Sequence, residues 1–281
     1  MSGASEKALK TRIRSMRSTR QITKAMEMVA ASKLHGAQQR AIASRPYFET
    51  LYGVMQDLSL RRADLPSPYT QTREGDKVCC IVIAGDRGLA GGYNGNVLKL
   101  AYAEMENKAS LVLPIGKKAA EFFRSRKIPS LTDRYDEAGA IEVGDCFTIA
   151  RLLCDEYRSG KFDRLLLAYT NFASVLVQTP AVLPLLPLTR ETSNGAATAA
   201  VLYEPDSESV FDAIVPEYLG GVLYGALCES VASEQAARRT AMDSATKNAD
   251  EMIDRLSLQY NRARQGAITQ EITEIVAGAE S

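Results

Sequence analysis

Any chemistry in this chain would have to come from one glycine-rich loop, one loop acid and one imidazole. Gly85-Asp-Arg-Gly-Leu-Ala-Gly-Gly-Tyr-Asn-Gly95 follows an apolar run and holds five glycines. Loops of this kind cradle phosphates when they lead from a strand into a helix, because glycine lets backbone N–H groups approach the anion. This one lacks the Gly-Lys-Ser/Thr ending of a P-loop, and its glycines miss the Gly-x-Gly-x-x-Gly spacing. No acid stands where a ribose partner should follow, apart from Glu104 and Glu106 on the next helix. The spacing favours a tight loop with positive φ angles over a nucleotide cradle. Asp86 is the one loop acid worth testing as a reactive group. The single histidine, His35, sits on a helical stretch, which excludes a His-rich metal site and leaves a Ser-His-Asp arrangement without support. His35 reads as a helix-surface or seam residue. No Cys-x-x-Cys occurs. No catalytic residue, cofactor site or metal site is expected.

The elements that would position such residues are clearer. Between Gly225 and Gly266 lie 40 residues without Gly or Pro, the two residues that most often end helices. At about 1.5 Å per residue they would form a rod of roughly 60 Å, longer than a compact domain needs. Every seventh residue from Tyr224 gives Val231, Arg238, Ala245, Met252 and Gln259. The companion row is Cys228, Gln235, Met242, Ala249, Leu256 and Ala263. Nine of these twelve are apolar and three are Ala, a heptad seam with small side chains and polar interruptions. Asp243 with Lys247 and Glu251 with Arg255 stand at the favourable i, i+4 spacing. At the other end, Ala4 to Arg45 holds only Gly36 as a breaker. Leu9, Ile13, Met16, Met26, Val29 and Leu34 recur there at helical spacing, with Ala30, Ala37 and Ala41 between them. The period drifts around Thr19 to Thr23. Two overlong terminal helices predict one antiparallel intramolecular coiled coil with a separate body between them.

That body reads as α/β. Pro46 should kink or restart the first helix, and Tyr47 to Leu60 continues it with Phe48, Leu51, Tyr52, Met55 and Leu58 on one side. Asp64 to Tyr69 and Gln71 to Asp76 form a linker. Lys77 to Ala84 is a buried strand, followed by a helix at 96–108, a strand at 110–116 and a helix at 117–127 with Ala120, Phe122 and Phe123 inward. Asp145 caps a third helix through Tyr157. A strand at 163–170 follows, and Ser174 to Gln178 turns back as another. Residues 189–199 read as a loose loop and Val201 to Tyr203 as an edge strand. Helix resumes after Asp206, made irregular at first by Pro216, Gly220 and Gly221. The predicted fold class is α/β: a long antiparallel coiled coil of N- and C-terminal helices plus a central Rossmann-like α/β domain. The divisions are 1–60, 70–205 and 207–281.

Charge and cysteine usage narrow the function. The 281 residues carry no net charge, yet the first 45 hold ten Lys and Arg against Glu6 and Glu27, a local +8. A basic helix this long suits nucleic acid, an anionic membrane surface or an acidic protein. No aromatic residue precedes Tyr47, so no base-stacking platform exists there, although a basic coiled-coil protein binding nucleic acid or an acidic partner stays the alternative. The five scattered cysteines fit a reducing compartment. Cys79 and Cys80 are adjacent in a strand, should face opposite ways and read as packing residues. No apolar run approaches the length of a membrane span, and the first ten residues have no apolar secretory core.

Longer motifs carry a resemblance. Ile22-Thr-Lys-Ala-Met-Glu-Met-Val-Ala-Ala-Ser-Lys33 resembles the N-terminal helix of the gamma subunit family of F-type ATP synthases. Asp86 to Gly92 resembles that family's central loop, which usually has Cys where Ala90 stands. Ser233-Glu-Gln-Ala-Ala-Arg238 resembles its C-terminal helix, and Ala263-Arg-Gln265 with Ile268 to Ala279 its C-terminal signature. The match runs end to end and in order.

The resemblance implies a rotor without an active site of its own. Its partners would be three alpha and three beta subunits, the epsilon subunit and the membrane c-ring. It implies neither nucleic-acid binding nor membrane insertion. It places Arg264 and Gln265 at a hydrogen-bonding catch against beta, ties Arg238 and Thr269 to coupling, and sets Lys24 and Met26 near an acidic lever of beta. Plastid members carry an inserted cysteine pair near 190–205. None lies between Cys154 and Cys228 here, so thiol switching is not expected. No targeting presequence is evident, which points to the cytoplasmic face of a bacterial plasma membrane.

Overall fold

The computed structural model describes residues 2–61, 67–106, 108–135, 137–188, 204 and 206–279. In chain order the elements are helix α1 (Ser2–Arg61), strand β1 (Lys77–Ile83), helix α2 (Tyr93–Met105), strand β2 (Ala109–Ile115), helix α3 (Lys117–Ser125), helix α4 (Val143–Arg158), strand β3 (Arg164–Phe172), strand β4 (Gln178–Leu186) and helix α5 (Ser207–Ala279). A short 3-10 turn, Ala138–Ala140, precedes α4. The loose loop at 189–199 and the strand at Val201 to Tyr203 expected from sequence lie outside the described residues. So do the side chains of Phe48, Tyr52, Met55 and Leu58. The chain forms two units, residues 1–31 with 238–281, and residues 32–237.

The larger unit is built on a four-stranded sheet in the order β2-β1-β3-β4. β1 pairs in parallel with β2 and β3, and β3 pairs antiparallel with β4. Strand alternation sends successive side chains to opposite faces. Cys79, Ile81, Ile83, Leu113, Leu165 and Leu167 face α4 and the start of α5, where Ile149, Leu153, Phe211, Val215 and Leu219 are buried. Val78, Cys80, Val82, Val112, Leu166 and Ala168 face α2 and α3, against Val97, Ala101 and Phe123. Cys79 and Cys80 thus divide between the two faces, as their adjacency requires. All five cysteines are free and buried.

Several boundaries differ from the sequence reading, each for a local reason. Ser174 to Val177 is the hairpin turn, closed by Ser174 N–H to Val177 C=O at 3.0 Å, and the returning strand is β4. Pro180 and Pro184 obscure β4 in the sequence, yet an edge strand tolerates proline because one side needs no ladder bond. Helix α4 begins earlier. Glu142 is its N-cap, and Asp145 closes a capping box from the third helical position. α1 runs unbroken through Pro46. Tyr47 meets the Phe147 ring edge-on at 6.3 Å, a tertiary contact that supports the helix directly after the proline. α5 is equally continuous through Pro216, Gly220 and Gly221. A Cβ on Gly220 would stand 2.5 Å from the Phe147 ring, so this glycine admits α4 and does not break α5. One window of α5 is apolar enough by composition to cross a membrane. Phe211, Val215, Leu219, Leu223, Ala226 and Leu227 of its first turns are buried in the sheet core.

In the smaller unit α1 and α5 form an antiparallel pair. On α1 the positions turned inward are Glu6, Leu9, Ile13, Met16, Thr23, Glu27 and Ala30, which with Arg20 keep an unbroken 3,4 spacing. The apparent drift near Thr19 to Thr23 is three polar residues occupying seam positions. Val29 is exposed. On α5 the companion row Met242, Ala249 and Leu256 is buried as expected. Its seam mates are Thr246, Ile253 and Tyr260, and the predicted row through Ala245, Met252 and Gln259 lies off to the side. Ile253 is the larger apolar prize on that stripe, so the helix turns it inward and leaves Met252 41% exposed.

Candidate functional site: a helix socket and a polar-layered coil

The glycine-rich loop is locked by backbone hydrogen bonds. Leu89 and Gly91 both adopt positive φ, 62° and 55°, the tight turning that the glycine content suggests. Asp86 is consumed as an organiser. Its carboxylate accepts from the backbone N–H of Lys117 at 3.2 Å, Ala138 at 2.9 Å and Gly139 at 3.0 Å. Gly116, at φ 97°, must be glycine because a Cβ there would collide with the Ala84 carbonyl. Gly85 N–H donates to Asn94 Oδ1 at 2.8 Å, and Asn94 Nδ2 returns a bond to the Arg87 carbonyl at 3.1 Å.

In open parallel sheets, ligands bind outside the carboxyl ends of the strands, where the strand order reverses. Here that point lies between β1 and β3, and α5 occupies it. β1 pairs with β3 only as far as Ala168. Beyond that, Thr170 N–H donates to Ser230 Oγ and Ser233 Oγ donates to the Thr170 carbonyl, both at 3.2 Å. Both serines are fully buried. The Glu234 carboxylate fills the space left by Gly85, with Oε1 2.8 Å from where a Cβ would stand. Beside this contact a cavity of about 100 Å³ is lined by Gly92, Tyr93, Asn96, Thr170, Gln178, Pro180 and Ala237. Ligand sites for nucleotide-sized molecules run to roughly 300 Å³ or more, and no cationic side chain lines this one. The loop is a socket for the chain's own C-terminal helix. His35 is exposed on α1, and no cluster of metal-ligating side chains occurs among the described residues.

The coil carries polar layers. Thr23 and Thr246 hydroxyls meet at 2.8 Å in the buried seam. Arg20 pairs with Asp250 at 3.0 Å, Lys24 with Glu27 at 2.9 Å and Lys247 with Asp243 at 2.8 Å. The hydrogen bond from Lys247 holds the Asp243 carboxyl below its usual range, and the same bond raises Lys247. Near the start of α1, the Glu6 carboxylate lies beside Tyr260 and raises that phenol. α1 is almost used up at that level, while α5 continues to Ala279. On this extension Ile268, Ile272, Ile275 and Val276 are 43–71% exposed.

The six residues singled out from sequence do not form one cluster. Arg264, Gln265 and Thr269 share an exposed stretch of α5, where the Thr269 hydroxyl donates to the Gln265 carbonyl at 2.9 Å. Lys24 is exposed and Met26 half-buried on α1, and Arg238 is half-buried far upstream on α5. Sequence reasoning missed Ser230, Thr170, Arg20 and Thr23 as structural actors. The signal for the last two is their 3,4 spacing with Met16 and Glu27.

An α/β body whose ligand crevice is filled by its own terminal helix, together with a polar-layered helix pair that ends in an exposed apolar stripe, defines a stalk-type subunit that works through partners. A family model described as ATP synthase matches residues 5–281. The ATP synthase gamma chain of Ruminococcus albus is 48% identical over 97% of this chain and 96% of its own length. That of Pelotomaculum thermopropionicum is 42% identical over 96% of each. The chain belongs to the ATP synthase gamma-chain family. Its fold is shared with a chain of the Euglena gracilis mitochondrial ATP synthase (OSCP/F1/c-ring, rotational state 3) at TM-score 0.70 and 20% identity, covering 99% of this chain and 94% of the other. A chain of the Tetrahymena thermophila mitochondrial ATP synthase central stalk and c-ring matches at TM-score 0.60 and 23% identity, covering 80% of this chain and 99% of the other.

Proposed function

We propose that this chain is the central rotor shaft of an F-type ATP synthase, coupling ion-driven rotation of a membrane c-ring to the conformational cycle of catalytic beta subunits. The observation that carries this reading is the exposed stripe Ile268, Ile272, Ile275 and Val276 beyond the end of α1. An apolar helix end of this kind needs a covering partner, and a ring of three alpha and three beta subunits supplies one. The epsilon subunit and c-ring engage the body at 70–205, while 1–60 and 207–281 supply the shaft. The chain has no active site of its own; nucleotide chemistry belongs to beta. It does not enter the bilayer, does not bind nucleic acid, and works peripherally on the cytoplasmic face of a bacterial plasma membrane.

Arg264, Gln265 and Thr269 form the catch against beta in this reading. Arg238 supports coupling, and Lys24 and Met26 meet the acidic beta lever, which suits the basic sign of α1. The test is reconstitution with cognate alpha and beta subunits. A complex with one copy per three alpha and three beta, hydrolysing ATP only when this chain is present, is the expected result. A chain that stays monomeric and leaves hydrolysis unchanged would remove the reading. Gln265→Leu is expected to lower ATP-driven turnover in the assembled complex without unfolding the subunit, since Gln265 is exposed. Full turnover would remove Gln265 from the catch.

A further inference from the structure

A rotor must carry torque between its α/β body and its helices, and apolar contacts do this poorly. A helix packed on a sheet through Leu219, Leu223, Ala226 and Leu227 can shift or turn slightly at small cost, because hydrophobic attraction has no direction. Hydrogen bonds to a backbone are directional and tolerate little displacement. α5 makes two such bonds to one residue of the sheet.

Ser230 and Ser233 are three apart, so they project from the same face of α5. They grip the N–H and C=O of Thr170 at 3.2 Å each. Thr170 stands opposite Pro180 on β4 and directs both its N–H and its C=O to the other side, where β1 would continue, so β4 does not compete for them. β1 has ended. A turn of helix therefore takes the place of a missing strand at the edge of β3. One residue further on, Glu234 enters the gap that Gly85 leaves, so the end of β3 and the glycine-rich loop both hold this turn of α5. A rotation of α5 about its own axis, or a slide by one turn, would break both serine bonds and drive Glu234 against the loop.

We propose that the Ser230–Ser233–Glu234 turn is the torque-bearing key of the rotor, holding α5 in fixed rotational register against the α/β body. The inference rests on the rotor reading above. A merely stabilising contact and a torque key differ in one measurable quantity, the number of ions pumped per ATP hydrolysed.

The experiment uses the complete ion-pumping complex in vesicles, carrying either the wild-type chain or S230A/S233A. The variant is expected to assemble and hydrolyse ATP within about twofold of wild type, while ions pumped per ATP fall roughly fivefold, the factor set by losing two long hydrogen bonds at the weak end of the usual range. An assembled variant with an unchanged ratio overturns the proposal, even if it is less heat-stable. Should the double variant fail to assemble, S233A, which keeps the Ser230 bond, is judged by the same ratio. The Thr170 amide gives an independent reading in the isolated full chain. Its hydrogen exchange is expected to quicken in S230A, and an unchanged rate means the grip is absent. If the wild-type chain itself supports no ATP-driven pumping, the rotor reading falls, and that result is distinct from a wild-type success with an indifferent variant.

Discussion

Asp86 shows how a residue can look reactive in sequence and be structural in fact. An acid in a loop of five glycines is a fair candidate for chemistry. Its three backbone donors come from residues 31, 52 and 53 positions later, a separation no local pattern reveals. Each bond to a charged acceptor contributes about 1.5–3 kcal/mol net. Two of the three lie in solvent and count for less, so Asp86→Ala is expected to destabilise the chain by roughly 2–4 kcal/mol, measured by urea unfolding, with little change in ATP turnover of complexes that still assemble. The cysteines were legible at this scale, because adjacency alone divides Cys79 from Cys80. Burial pushes Cys80 and Cys146 up to about 12 and Cys154 to about 11, from 9.0. A raised folded pKa means the native state holds its proton more tightly, so the contribution is complete below pH 9 and lost as pH rises towards 11–12. Unfolding free energy is expected to decline across that window. At pH 7.5 the native thiols should resist iodoacetamide and react fully only in denaturant.

At the scale of elements, the coil's existence is plain in the sequence and its register is not. Small and polar residues flatten the contrast between stripes, so the Met252 row and the Ile253 row compete on pattern and only packing chooses between them. The same flattening hides Arg20 and Thr23 in the α1 seam. Thr23 and Thr246 satisfy each other, so removing one hydroxyl leaves its partner's to the Met242 or Arg20 carbonyl, whereas removing both trades a polar layer for an apolar one. Thr23→Val with Thr246→Val is expected to be more stable than the sum of the single changes by about 1 kcal/mol, read from a double-mutant cycle of thermal unfolding. The Asp243–Lys247 pair has the opposite pH signs at its two ends. Its carboxylate share is present above the ordinary carboxylate range and lost as pH falls through the lowered value, and its ammonium share is lost above 10.5. Proline and glycine misled the reading in α1 and α5, because tertiary contacts at Tyr47 and Gly220 override what those residues do in isolation.

For the whole molecule, end-to-end motifs made the family readable, and the sheet's alternating faces made the fold class readable. The helix socket was not readable, since its parts come from residues 85, 170 and 230–234. The charge asymmetry also acts at this scale. A segment of +8 is drawn to any acidic surface by long-range attraction that salt screens. The rate of assembly with alpha and beta subunits, followed by light scattering, is expected to fall about tenfold between low and high ionic strength, with the finished complex changing much less.

The Thr23–Thr246 contact joins residues 223 positions apart, and this has a consequence for biosynthesis. While the ribosome is still making the centre of the chain, α1 has no mate for its seam, and Thr170 waits some sixty residues for its serines. Neither the coil nor the edge of the sheet can close until the last fifth of the protein emerges. Such delay leaves apolar helix surface open to aggregation. Nascent chains arrested before residue 230 should therefore bind chaperones, and release should coincide with synthesis of the C-terminal helix.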